Sequence, residues 1–148
     1  MQPSNQSELE AKIDMRLRIM RVLWFALCVS IALYYVLTLF TKTDQQAPNT
    51  LLSVALAAAG ALFVIISFPV KQRYLTQSVE KQDMNLVQTG YIVALALCEV
   101  AALLGLLDHF VTGNRYYYFL FIAAALGDLL HFPRRRHLQE ASYKRQIF

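Results

Sequence analysis

Charge and sulfur are both scarce in this chain. Of its 148 residues, 16% are Asp, Glu, Lys or Arg, two are cysteine and one is tryptophan. Cys28 and Cys98 stand far apart with no second cysteine beside either, which excludes a redox CxxC pair and a structural zinc site. Both read as small packing residues. The histidines are as scattered. His109 falls at one end of an apolar run, His131 at the opposite membrane side of the next, and His137 beyond it, so no pair converges on a membrane-embedded haem. There is no phosphate-cradling glycine loop, and no nucleophile is recognisably matched to a base. The chain is therefore expected to hold no cofactor and no metal, and not to be an enzyme.

What the chain has in quantity is apolar sequence, 57% of all residues. A crossing of a bilayer takes roughly 20 helical residues, and four runs approach or reach that length: 22–40, 51–70, 86–107 and 116–132. The fourth is the shortest, interrupted near one end by Asp128 and His131. A soluble helical bundle would carry polar residues every third or fourth position, and the first three runs mostly do not. The expected fold is all-α, a single-domain four-helix transmembrane bundle occupying residues 1–148. The first run is too long for a signal-peptide core and no small-residue cleavage site follows it, so it reads as a retained span.

Basic residues near span ends stay on the cytoplasmic side. With both termini inside, Lys12, Arg16, Arg18, Arg21, Lys71, Arg73, Lys81, Arg134, Arg135, Arg136, Lys144 and Arg145 are cytoplasmic, and only Lys42 and Arg115 are outside. That split predicts cytoplasmic N- and C-termini in a multi-pass protein of a bacterial-type inner (plasma) membrane. The net charge of +4 is then a matter of topology and lipid contact, and nucleic acid is not an expected partner. In "HFPRRRH", Pro133 discourages continuation of the fourth helix and Arg134, Arg135 and Arg136 fall where anionic lipid headgroups lie.

The flanking segments follow the same logic. Ser7 and Glu10 in "SELE" form a capping-box pattern that predicts a helix start near residue 8. Leu9, Ile13, Leu17 and Met20 then share one face, suited to a membrane surface or a partner. Residues 41–50 read as a polar outer loop, 71–85 as a longer inner loop, and the tail from 138 as a short interfacial helix or docking point. Trp24, Tyr74 and Tyr116–Tyr118 suit an aromatic belt at headgroup depth.

Glu99 raises the sharpest question. It sits mid-run in "ALALCEVAALLGLL", and insertion scales put a charged Asp at a helix centre at roughly 2.5–3.5 kcal/mol. It is too deep to reach either surface, so it needs a proton, a partner or water. Asp128, with His131 three residues on and Arg135 two turns further along one face, reads as an ion-paired set at the membrane edge or an inner proton relay. Asp108, at the outer end of the third run, is expected to be solvated. Ala94, Cys98, Ala101 and Gly105 form a small-residue stripe for close helix packing, and Glu99 points more than about 90° away from it. Ala55, Ala57–Ala59, Gly60 and Ala61 on the second run, and Ala123–Ala125 and Gly127 on the fourth, offer matching surfaces.

"EVAALLGLL", after its alanine-rich run, resembles the outer helix of the rotor-ring proteolipid (subunit c) of F-type ATP synthases. In that family a mid-membrane carboxylate carries the transported proton, with Gly-Leu at similar spacing. The likeness covers residues 51–107, a hairpin with a cytoplasmic loop, and implies Glu99 as ion carrier. One "AAAGA" cluster stands where that family has a glycine repeat, and "EKQDMN" has no Arg-Gln-Pro turn. Three functions follow as expectations: a structural or accessory subunit packing against other membrane chains or itself; proton or cation translocation through Glu99, Asp128 and His131; and a lipid-linked enzyme or hydrophobic-ligand binder.

Overall fold

The computed structural model describes residues 3–41 and 49–142. The expected outer loop falls mostly, and the end of the tail wholly, outside the described residues. The chain is all-helical: α1 (Pro3–Phe40), α2 (Thr50–Lys81), α3 (Met84–Thr112), α4 (Tyr118–Leu130) and α5 (Arg135–Ser142). Three of these, α1, α2 and α3, are long and apolar enough to cross a membrane. At 13 residues α4 falls short of the roughly 20 that a straight crossing takes. Its sequence explains the shortening. An Asn114 side chain accepts the Tyr116 N–H in a turn before it, and Pro133 follows closely after it.

The long helices outrun the expected spans. The 38 residues of α1 make one rod, roughly 57 Å long at the usual helical rise. Ser7 and Glu10 lie inside it, so they do not cap its start. Residues 71–81, expected as loop, continue α2. Their Lys, Gln, Arg and Leu content favours helix, and Lys71, Tyr74, Leu75 and Ser78 recur at helical spacing on the inward side. The connection to α3 is only Gln82 and Asp83. Gln82 adopts φ 53°, and its N–H bonds the Ser78 carbonyl, closing α2 without a glycine. Asp83 caps α3, accepting the Asn85 N–H at 2.8 Å.

Helices run alternately up and down, and α3 is the hub, touching α1, α2, α4 and α5, whereas α1 and α2 do not meet among the described residues. Close approach to α3 comes from small side chains. Ala94, Cys98, Ala101 and Gly105 are all buried. The facing surface of α2 differs from the expected alanine cluster: Ala55, Ala57, Ala58 and Ala61 are exposed, and contact is made by Ser53, Gly60, Ser67 and Ser78. The first three of those repeat every seven residues, which keeps them on one side of the helix. On α4, Ala124 and Gly127 are buried.

Two apolar cores result. At one end Ile13, Leu17 and Met20 of α1 pack with Val87 and Tyr91 of α3 and Leu138 and Ala141 of α5. The amphipathic face of α1 is thus covered within its own chain. Toward the other end, Ile31 meets Ala101, Ala102, Phe121 and Ala124.

Gly90 fixes the α2–α3 distance at the first of these ends. A Cβ there would stand 2.6 Å from Tyr74 Cβ, an atom tied to the backbone, whereas the one tight contact at Gly60 would be with Leu120 Cδ2, the far end of a side chain that can turn. Gly90→Ala is therefore expected to destabilise the fold by about 1–3 kcal/mol and Gly60→Ala by less. Thermal unfolding of the two variants in detergent micelles checks the order.

Candidate functional site

The polar side chains of the bundle interior form ties between helices, and each arises from a residue that helical spacing turns inward. Glu99 projects from α3 onto α1. Its Oε1 accepts the Ser30 hydroxyl at 2.7 Å and the Tyr34 hydroxyl at 3.1 Å, two donors one turn apart. The carboxylate that the sequence leaves stranded thus has partners on its own chain, in the direction away from the stripe of Ala94, Cys98, Ala101 and Gly105.

Asp128 is fully buried and faces the same stretch of α1. The Cys28 thiol donates to Oδ2 at 3.7 Å, and the Trp24 indole N–H bonds the Asp128 carbonyl at 2.7 Å. Oδ1 has no hydrogen-bond partner. Two carboxylates on different helices therefore address one turn of α1, Cys28 and Ser30.

His131 departs from expectation. It makes no side-chain bond to Asp128 and turns instead to α2, where Lys71 Nζ lies 2.9 Å from Nδ1 and Ser67 Oγ 2.8 Å from Nε2. One tautomer satisfies every contact: Lys71 donates to Nδ1, Nε2–H donates to Ser67, and the Ser67 hydroxyl donates to the Val64 carbonyl at 2.6 Å. Cys98 Sγ lies 3.8 Å from Ser67 Oγ. The Lys71 ammonium also lies 5.5 Å from the Tyr91 ring centroid and 5.9 Å from that of Phe68. Arg135 leaves this group altogether and pairs with Asp14 of α1 at 3.4 Å. Asp128, His131 and Arg135 share a direction in sequence, but three different neighbours claim them.

Asp108 is 2% exposed, so the solvated position expected for it is overturned. Its oxygens accept from Ser53 at 3.0 Å and from Thr112 at 2.6 Å, and Asn114 Nδ2 donates to Ser53 at 2.5 Å. The Thr38 and Tyr117 hydroxyls lie 3.2 Å apart in hydrogen-bond contact, tying α1 to the start of α4. Among the described residues, no three His, Cys, Asp or Glu side chains converge as a metal site requires.

Arg134, Arg135 and Arg136 lie exposed at the foot of α4 and the start of α5. Arg136 Nε bonds Glu140 at 2.6 Å along one face of α5, and that bond holds the guanidinium above its ordinary range. Beyond the bundle end, Tyr91 Oη and His137 Nδ1 are 2.6 Å apart, and the Arg134 N–H donates to the same hydroxyl at 3.4 Å. Burial pushes the His137 imidazole below its ordinary value.

Sequence reasoning missed Ser30, Tyr34, Ser53, Ser67 and Lys71. The seven-residue recurrence of Ser53, Gly60 and Ser67 is the signal that marks a polar packing face. Comparison with protein families, curated proteins and solved structures finds no match for this chain.

The His137 contact carries a pH dependence. A group whose folded pKa lies below its unfolded value leaves the folded state binding fewer protons, so docking of α5 is at full strength above about pH 6.5 and weakens as pH falls through that value. Protection factors across residues 135–142, with exchange corrected for its intrinsic pH dependence, are expected to fall between pH 7.5 and 5.5. Tyr91→Phe is expected to lower protection at the higher pH and flatten the difference.

Proposed function

We propose that this chain is an integral membrane protein that crosses the bilayer four times with both termini in the cytoplasm, and that it serves as a structural or accessory subunit of a membrane assembly. The observation that carries the reading is the bonding of Glu99 to Ser30 and Tyr34 of its own α1. An acid placed in an apolar helix is used to join two helices, as are Asp128, Asp108 and His131. The outward surfaces of α1 and α2 support the reading from the other side. Val22, Phe25, Leu33, Val54, Leu62 and Ile65 are each more than half exposed, and such surface is matched only by lipid or by another apolar chain. Candidate partners are other membrane chains, a second copy and anionic lipid.

Four crossings place residues 42–48 outside and the α2–α3 turn inside, as the distribution of Lys and Arg favours. With native cysteines replaced by serine, Gln45→Cys is expected to react with an impermeant maleimide in intact cells and Gln82→Cys only after lysis. The reverse pattern would reject the orientation.

Translocation of a proton or cation through Glu99 is the second reading, favoured by the unpartnered Oδ1 of Asp128 beside the α1 turn that also binds Glu99. Glu99→Gln separates the two. The amide oxygen still accepts from Ser30 and Tyr34, so a packing role predicts unchanged assembly and thermal stability. Glu99→Leu, which strands both hydroxyls, is expected to cost about 1–2 kcal/mol. Proton flux in reconstituted vesicles and carbodiimide labelling that vanish in Glu99→Gln, with assembly intact, would favour translocation.

A further inference from the structure

The triple Arg134, Arg135 and Arg136 is the obvious anion-binding sequence, but two of its members are engaged: Arg135 with Asp14 and Arg136 with Glu140. Two further arginines without an ion pair among the described residues, Arg18 and Arg21, lie on the outer face of α1. There Asp14, Leu17, Arg18, Arg21, Val22 and Phe25 line a crevice of about 500 Å³. Asp14, its one acid, is turned to Arg135. Arg18 is exposed. Arg21 is exposed with its guanidinium 5.6 Å from the Phe132 ring centroid, and Phe132 in turn meets Trp24 edge-on at 5.1 Å. Contact with a ring face steadies the guanidinium and leaves its N–H edges open for a bidentate oxyanion.

The crevice changes character along the helix. Arginines occupy the part nearer the α1 start. Val22 and Phe25, 64% and 63% exposed, continue it toward the apolar run. A charged head and an apolar tail in that order describe an amphiphile standing along α1.

We propose that Arg18 and Arg21 bind the phosphate of an anionic phospholipid while Val22 and Phe25 seat the upper part of its acyl chain, a site resting on the bilayer reading above. Charge complementarity selects an anionic headgroup over a zwitterionic one, and continuity with the apolar face selects a lipid over a soluble phosphate.

Trp24, the single tryptophan of the chain, stands one turn from Arg21 and reports on this lipid. The full chain is reconstituted in phosphatidylcholine vesicles carrying equal small fractions of either brominated phosphatidylglycerol or brominated phosphatidylcholine. Brominated phosphatidylglycerol is expected to quench Trp24 more strongly. Arg18→Gln and Arg21→Gln are each expected to lower local enrichment by about fivefold and together to abolish the preference, while the Lys variants retain most of it and Arg136→Gln leaves it intact. Excess inorganic phosphate should leave the difference unchanged. Equal quenching by the two lipids in the native chain would overturn the site. So would a preference removed by Arg136→Gln, or one erased by inorganic phosphate. Quenching by neither lipid would instead reject the bilayer reading beneath it.

Discussion

The contact of Glu99 with Ser30 and Tyr34 governs how α1 sits on the rest of the chain. The two apolar cores hold α1 mainly toward its start, through Ile13, Leu17 and Met20, and again at Ile31. Apolar contact alone does not fix rotation or axial position when the surroundings are equally apolar. A hydrogen bond does. Cys28 and Trp24 on Asp128, Ser30 and Tyr34 on Glu99, and Thr38 on Tyr117 set α1 at successive levels.

The same principle applies to α2 in a different form. Its approach to α3 is close because Ser53, Gly60 and Ser67 are small, and the serines then become donors: Ser53 to Asp108, and Ser67 to its own Val64 carbonyl while it receives His131. A serine is small enough for backbone approach and polar enough to satisfy a buried partner, so one residue type serves both needs. Alanine serves only the first. That accounts for the alanines of α2 facing outward, where neither close approach nor hydrogen bonding is required.

The sequence made the helices legible because its apolar runs are long enough for membrane-spanning helices, and three of them are found as such helices. It also showed which side chains are anomalous, Glu99, Asp128 and His131. What it hid was direction. Asp128 and His131 share spacing that suggests one face, yet His131 lies just past the end of α4 with non-helical backbone angles, so Asp128 meets α1 and His131 meets α2. Lys71 was masked by its polar surroundings. "KQRYLTQSVEK" reads as loop by its polarity after an apolar run, although its residues favour helix, and the recurrence of Lys71, Tyr74, Leu75 and Ser78 on the inward side is the signal that it continues α2. The α2–α3 turn was similarly obscured, because a left-handed Gln82 takes the place where glycine usually announces a helix end.

The short α4 links these features. At 13 residues it is roughly 20 Å long, against a hydrocarbon thickness of roughly 30 Å on the bilayer reading. A helix that short brings its own end, with the polar residues Asp128 and His131, toward the apolar layer. The longer helices on either side supply what lipid does not: Trp24 takes the Asp128 carbonyl, and Lys71 and Ser67 bracket the His131 ring. Lys71 does so from a helix that runs on past the end of α4. The extension of α2 beyond its apolar run, the polar contacts of α1 and the brevity of α4 are therefore one arrangement. Lengthening α4 to a full crossing would remove the reason for the lysine, and shortening α2 to its apolar run would leave His131 with Ser67 but without a partner for Nδ1.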